Sequence, residues 1–191
     1  MVNIKAKLLD KHEVSKMIIR LSHEIVENNI SIDNTALIGI RTRGDIIAKR
    51  IFSEINSSYN KELLCGTLDV TFYRDDFSTN LGSPQVGPSD INFDVNGKDI
   101  ILIDDVLYTG RTIRAAMNEI FSFGRPNSIK LAVLVDRGHR ELPIRPDFIG
   151  KNYPTANNEH IDVFVNEVDG KDEVVLVEYK WVILKSSIYL D

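Results

Sequence analysis

Hydrophobic positions along the chain switch between two periods, and the switches mark an alternation of helices and strands. From Asp10 to Glu27 the apolar residues Val14, Met17, Ile18, Leu21 and Ile25 recur at intervals of three and four, which predicts one stripe of an amphipathic helix. Asp10 followed three residues later by Glu13 is a capping-box-like start. Arg20, His23 and Glu27 fall off that stripe, on the face expected to meet solvent. Ala36 to Ile40 is a short apolar run of strand type, and Asp45 to Ile55 returns to helical spacing. Leu68, Val70 and Phe72 alternate with Thr67, Asp69, Thr71 and Tyr73, the mark of a strand with one wetter face. Ile100 to Ile103 and Ile129 to Val135 are nearly unbroken apolar runs, as in strands buried on both faces. Between them a helical run reaches Phe123 and is closed by Gly124-Arg125-Pro126. From His160 onward the chain alternates like β structure, with an Asp169-Gly170 turn.

Strand–helix units of this kind predict an α/β protein with a central, mainly parallel sheet flanked by helices and right-handed crossovers. At 191 residues the chain fits one domain. The stretch from Asp75 to Gly97 is polar and rich in Gly, Ser, Pro and Asn. A structureless segment of that length inside a compact domain suggests a mobile lid over a site, with a plain extended hairpin as the other reading.

Composition narrows the picture only slightly. The longest apolar stretch, Val174 to Leu190, is interrupted by Glu178, Lys180 and Lys185, so it reads as strand rather than membrane span. No secretory signal is evident at the N-terminus, and a single cysteine, Cys65, suits a reducing cytoplasm, where it would be a small buried hydrophobe. The net charge of −5 argues against a general nucleic-acid binder. Residues 152–191 hold eight acids and three bases, however, which leaves the preceding 151 residues neutral and able to carry a local basic patch.

Candidate chemistry concentrates in residues 99–117. The apolar run Ile100 to Ile103 is followed by Asp104 and Asp105, expected at the strand's end, and then by Thr109-Gly110-Arg111-Thr112 at the start of a helix. Backbone N–H groups of such a turn, together with the helix dipole, favour an anion. The threonine hydroxyls add donors, and the acceptor-only carboxylates suit sugar hydroxyls or a hydrated cation. There is no Gly-Lys-Ser/Thr of a nucleotide P-loop and no Gly-x-Gly-x-x-Gly turn. A second anion site is suggested by Arg41-Thr42-Arg43-Gly44 at the carboxyl end of the strand ending at Ile40.

The pattern Asp104 to Thr112 resembles the phosphoribosyl-diphosphate (PRPP) motif of type I phosphoribosyltransferases. Gly39 to Gly44, Thr71-Phe72-Tyr73-Arg74-Asp75-Asp76 and the block Asp136-Arg137-Gly138-His139-Arg140-Glu141-Leu142-Pro143 sharpen this. Together, over residues 8–178, they resemble the PyrR family of bifunctional pyrimidine-operon regulators and uracil phosphoribosyltransferases. The resemblance implies the type I phosphoribosyltransferase fold as a single domain, with a small β-rich hood (the N-terminal segment and residues 136–180) and a flexible loop at residues 75–97. The implied reaction is uracil + PRPP → UMP + diphosphate, with Mg²⁺ carried by PRPP and water rather than by direct protein ligands. Asp104 and Asp105 would hold the ribose hydroxyls, and Asp105 is the first candidate for any catalytic role. The nucleotide-binding run continues through Val106 and Leu107, and Tyr108, Thr109, Gly110, Arg111 and Thr112 would wrap the 5′-phosphate. Thr42 and Arg43 fall in the diphosphate loop, Arg74 leads into the lid, and Arg137 and Ile161 flank the base.

The same resemblance implies cytoplasmic, uridine-nucleotide-dependent (UMP or UTP) binding to a pyrimidine-operon leader RNA by a homodimer or larger homo-oligomer. The matching cations are Arg20, His23, Arg140, Arg145 and Lys151. Asn28 departs from the pattern, being uncharged where the family often carries Arg, and the acidic tail with its extension beyond Glu178 departs as well. Two other readings compete: a salvage enzyme for hypoxanthine or guanine without RNA regulation, and a non-catalytic sensor of PRPP or UMP.

Overall fold

The structure, a computed structural model, describes residues 2–28, 32–61, 63–70 and 88–179. The capping box expected at the first helix is present. Asp10 accepts from the Glu13 N–H at 2.9 Å and Glu13 accepts from the Asp10 N–H at 2.9 Å, so α1 (Lys11–Glu27) starts where the sequence signals it. Asn28 ends the helix, its side-chain amide and backbone N–H both donating to the Glu24 carbonyl.

Five parallel strands form the central sheet in the order β3 (Leu64–Leu68), β2 (Thr35–Ile40), β4 (Asp99–Leu107), β5 (Ser128–Asp136), β6 (Phe148–Asn152). Side chains alternate across it. Leu37, Ile101 and Ile103 pack with α1 and α2 (Gly44–Tyr59), whereas Ile38, Ile100 and Leu102 pack with α3 (Arg111–Phe123) on the other face. A separate antiparallel sheet, β1 (Val2–Leu9), β8 (Glu173–Tyr179) and β7 (Glu159–Phe164), forms the hood. Its Leu9, Ile161, Val163 and Val174 join the same apolar cluster as α1 and α2, so hood and sheet share core. A helical turn, α4 (Asn166–Asp169), occupies the link from β7 to β8 where the sequence suggested a simple turn, and Gly170 closes it with φ 72°.

Two expectations change. Asp104 and Asp105 do not end their strand: β4 continues to Leu107, because β5 supplies partners as far as Val135 and Asp136 for Val106 and Leu107. The neighbouring ladder outweighs the local preference of an acidic pair for a strand end. The polar segment reaching Gly97 is also anchored at its far end. Asp90 forms a two-bond antiparallel bridge with Thr67 at 2.7 and 2.8 Å, and Val95 is fully buried in the α3-side core. The expected strand residues Thr71 to Tyr73, Arg74, the 75–87 portion of the expected lid and residues 180–191 lie outside the described residues. Cys65 is half-buried in β3, where burial pushes its thiol pKa up, in keeping with a packing role.

Candidate active site at the sheet's carboxyl edge

The connection order creates the site. The chain moves from β2 outward to β3, then returns to β4 on the other side of β2 and proceeds to β5 and β6. Loops after β2 and β4 therefore leave the sheet edge in opposite directions, opening a crevice between them, the usual ligand position of an open α/β sheet. Residues 41–43 stand on one wall and residues 108–110 on the other.

On the β4 side both carboxylates are buried, Asp104 3% and Asp105 7% exposed. Asp104 Oδ1 accepts from the Asp105 N–H at 3.0 Å, and Asp105 Oδ1 accepts from the Val106 N–H at 2.8 Å. These bonds fix the side chains against their own backbone. Asp105 is bonded through Oδ1 to its own backbone, and a carboxylate held in that way keeps acceptor capacity for a sugar hydroxyl or a hydrated hard cation. Gly110 turns the chain at φ 94°, a left-handed conformation that glycine adopts without penalty, and serves as N-cap of α3. Thr109 is buried, and its Oγ1 accepts from the Arg111 N–H at 3.2 Å. Thr112 is half-buried in the first turn of α3. The result is a tight turn feeding a helix N-terminus, a natural anion cradle.

On the β2 side the loop is closely fitted. The Arg41–Thr42 peptide is cis. A Cβ on Gly44 would stand 2.6 Å from the Ile103 carbonyl oxygen and 3.0 Å from the Asp104 Cα, so only glycine lets α2 begin against the acidic pair. Behind it Asp45 is buried, its Oδ1 has no hydrogen-bond partner, and burial pushes its carboxyl pKa up despite Lys49 and Arg41 nearby. The two arginines expected to offer positive charge differ. Arg43 makes a two-pronged pair with Asp169 of α4, at 3.0 and 2.9 Å, so its charge is matched within the hood. Arg41 has a looser contact, 3.8 Å from the Asp69 carboxylate.

Arg137 and Ile161 meet the third side. Arg137 is 3% exposed and lies over the Tyr108 ring, 4.0 Å from its centroid. Its Nε donates to Thr155 Oγ1 at 3.1 Å, Nη1 meets His160 Nδ1 at 3.0 Å, and Nη2 donates to the Glu159 carbonyl. Burial draws the guanidinium pKa down from its usual value, yet arginine remains charged. Burial, then the neighbouring Arg137, holds His160 below its ordinary value, favouring neutral imidazole. Ile161 follows on β7 as a buried apolar residue. Thr155, His160 and Asp169 escaped sequence reasoning. His160 was visible only as a strand start and Asp169 only as half of a turn.

The candidate RNA residues separate into two kinds. Arg140, expected at the RNA surface, is half-buried and engaged by neighbouring carbonyls and a carboxylate. It donates to the Ile144 carbonyl at 3.0 Å, the Tyr108 carbonyl at 2.6 Å, the Gly138 carbonyl at 3.1 Å and the Asp136 carboxylate. It stitches residues 136–144 onto the loop after β4, helped by the Glu141 and Leu142 N–H groups donating to the Thr109 carbonyl and by Arg111 pairing with Glu141 at 2.7 Å. Arg145 and Lys151 are exposed and make no ion pair with the described residues. Arg140 and Arg145, with Pro146, Ile149 and Asn152, line a cavity of about 410 Å³. Arg20, on α1, reaches the Ile149 and Gly150 carbonyls of edge strand β6, and His23 meets the Tyr59 hydroxyl. Arg20, Arg145 and Lys151 therefore gather around β6, and His23 sits one turn along α1 from Arg20.

A five-stranded parallel sheet with a small antiparallel hood, and with the loops after β2 and β4 facing each other at its switch point, is the architecture of the phosphoribosyltransferase class. The phosphoribosyl transferase domain family matches residues 6–168. Among curated relatives, the protein named bifunctional protein PyrR from Thermoanaerobacter sp. (strain X514) is 50% identical over 177 residues, covering 93% of this chain and 99% of that protein. The protein of the same name from Clostridioides difficile (strain 630) is 49% identical over 174 residues, covering 91% and 98%. The chain belongs to the phosphoribosyltransferase family, and within it to the PyrR group. Solved structures agree on fold. A hypoxanthine-guanine phosphoribosyltransferase from Bacillus anthracis superposes with a TM-score of 0.67 at 17% identity, covering 93% of this chain and 99% of that one. A Staphylococcus aureus hypoxanthine phosphoribosyltransferase gives 0.69 at 19% identity, covering 92% of each. At those identities the likeness concerns architecture and leaves the choice of base to the site.

Proposed function

We propose that this protein transfers the phosphoribosyl group of PRPP to uracil, yielding UMP and diphosphate, and regulates pyrimidine-operon expression by binding leader RNA in response to uridine nucleotide. The observation that carries the reading is the convergence of three loops at the sheet's carboxyl edge: Asp104 to Thr112, residues 41–44, and Arg137 stacked on Tyr108.

In this reading Asp104 and Asp105 accept from the ribose hydroxyls, while the Tyr108 to Thr112 turn holds the 5′-phosphate through backbone N–H groups and the Thr109 and Thr112 hydroxyls. Thr42 and the start of α2 receive the diphosphate. Arg137 and the backbone at Ile161 border the uracil. Mg²⁺ carried by PRPP would supply positive charge against the diphosphate, and the buried carboxylates of Asp104 and Asp105 would hold it through water. The protein's work is to align the uracil nitrogen with the anomeric carbon and to stabilise charge developing on the ribose, which requires no strong general acid. Asp105 is the carboxylate to test for a catalytic role. The whole chain acts as one domain, in the cytoplasm, as a homo-oligomer.

For RNA, Arg20, His23, Arg145 and Lys151 form the contact surface around β6, and Arg140 shapes the loop that presents Arg145. Exposed side chains of this kind bind phosphates and stack on unpaired bases. Release of diphosphate is measured with PRPP, Mg²⁺ and each free base in turn; activity on hypoxanthine but not uracil would overturn the enzymatic half. Leader RNA is titrated with and without UMP; equal affinity in both titrations would overturn the regulatory half.

A further inference from the structure

Two arginines of the α2 region reach across to the hood, and they tie down different things. Arg50, in the body of α2, pairs with Glu167 at 3.0 Å and Asp172 at 2.7 Å, docking the α4 turn onto the helix. Arg43 is the N-cap of α2 and the last residue of the 41–43 loop, and its Nε and Nη2 meet Asp169 Oδ2 and Oδ1 at 3.0 and 2.9 Å.

Asp169 is a fixed anchor. Its Oδ2 also accepts from the Val165 N–H at 2.9 Å, its own N–H donates to the Val165 carbonyl at 2.7 Å, and its side chain is only 14% exposed. A planar two-pronged pair restrains orientation as well as distance. Arg43 adjoins Gly44, whose close approach to Ile103 and Asp104 sets the spacing between the two anion loops. The Arg41 N–H is tied to the Leu68 carbonyl at 2.9 Å, so restraint of the Arg43 side chain fixes the other end of the 41–44 loop, the loop that receives the diphosphate in the proposed reading. Without the anchor the loop would have to be ordered when ligand arrives, at the expense of affinity.

We propose that Asp169 is a positioning residue for the diphosphate group, acting through Arg43 to hold the 41–44 loop ready for it. The inference rests on the reading of that loop as the diphosphate site. It separates ligands by chemistry. PRPP and free diphosphate depend on Asp169, whereas UMP, which lacks a diphosphate, does not.

The test compares Asp169→Asn, Asp169→Glu and Glu167→Gln with wild type. The readouts are steady-state kinetics, inhibition by diphosphate, UMP binding by calorimetry, and melting temperature. Asp169→Asn is expected to raise the KM for PRPP and the inhibition constant of diphosphate about tenfold, with kcat within about twofold and UMP affinity unchanged; Asp169→Glu recovers part of the loss. Glu167→Gln removes one of the two Arg50 partners while Asp172 keeps α4 docked and the Arg43–Asp169 pair stays in place, and it is expected to leave the KM for PRPP unchanged. An unaltered KM for PRPP in Asp169→Asn, or equal weakening of PRPP and UMP, overturns the inference. A wild-type protein that binds UMP but neither PRPP nor diphosphate overturns the loop reading itself, and the inference with it.

Discussion

The Arg137 guanidinium lies 4.0 Å above the centre of the Tyr108 ring, joining the first residue after β5 to the first residue after β4. One residue thus reports on both the turn after β4 and the hood, because its other donors go to Thr155, His160 and the Glu159 carbonyl. Arg137→Met keeps the bulk and removes the charge and donors. It is expected to raise the KM for uracil about tenfold while shifting the KM for PRPP less than about threefold, with about 1–3 kcal/mol lost from stability. Kinetics with each substrate varied, beside a denaturant titration, check both parts.

Replacing Asp104 and Asp105 together by Asn preserves shape and removes both charges. PRPP binding is expected to disappear from calorimetry while the circular dichroism spectrum stays native. Normal turnover by the double variant would refute the ribose assignment.

Gly44→Ala tests the fit between the anion loops. Its Cβ would meet backbone atoms of Ile103 and Asp104 at 2.6 and 3.0 Å, neither of which can yield like a flexible side chain. A loss of about 1–3 kcal/mol in stability is expected, together with weaker PRPP binding as α2 is pushed from β4. Wild-type values for both would show that the helix start moves freely.

His160 predicts acid sensitivity of the base side. Burial and then Arg137 lower its pKa in the folded protein relative to the ordinary 6.5. The unfolded chain therefore takes up the proton first as pH falls. Stability from this residue is complete above about pH 6.5 and declines as pH drops through the lowered folded value. His160→Gln is expected to flatten the melting temperature across that window, and a slope equal to wild type would assign the sensitivity elsewhere.

Arg140 and Arg145 should part company. Arg140→Ala removes a half-buried donor from four carbonyl and carboxylate partners and is expected to lower stability by about 2 kcal/mol, weakening leader-RNA binding through loss of loop shape. Arg145→Ala, at an exposed position, should weaken RNA binding with stability within about 0.5 kcal/mol of wild type. Thermal melts and RNA titrations on the pair make the distinction; equal stability would return Arg140 to the class of simple surface cations.

Local patterns carried much of this protein. The Asp10–Glu13 box, the stripe of α1, the unbroken apolar runs of β4 and β5 and the turn at Gly110 depend on neighbours a few residues apart, and each was readable from the chain alone. The placement of Asp104 and Asp105 was legible in kind but not in register, since their strand extends to Leu107 only because β5 lies alongside. The commitments of the arginines were not legible at all. Arg43 finds Asp169 across 126 residues and Arg140 finds Tyr108 across 32, and a cation's sequence neighbours say nothing about carboxylates brought to it by a sheet and a hood.

The sequence by itself therefore determined the α/β class and the family, because hydrophobic period and motif spacing are short-range properties. Tertiary structure alone decided which arginines remain exposed, which are spent holding loops together, and that the loops after β2 and β4 face one another. Those outcomes follow from strand order and from long-range pairing, which exist only once the chain has closed on itself.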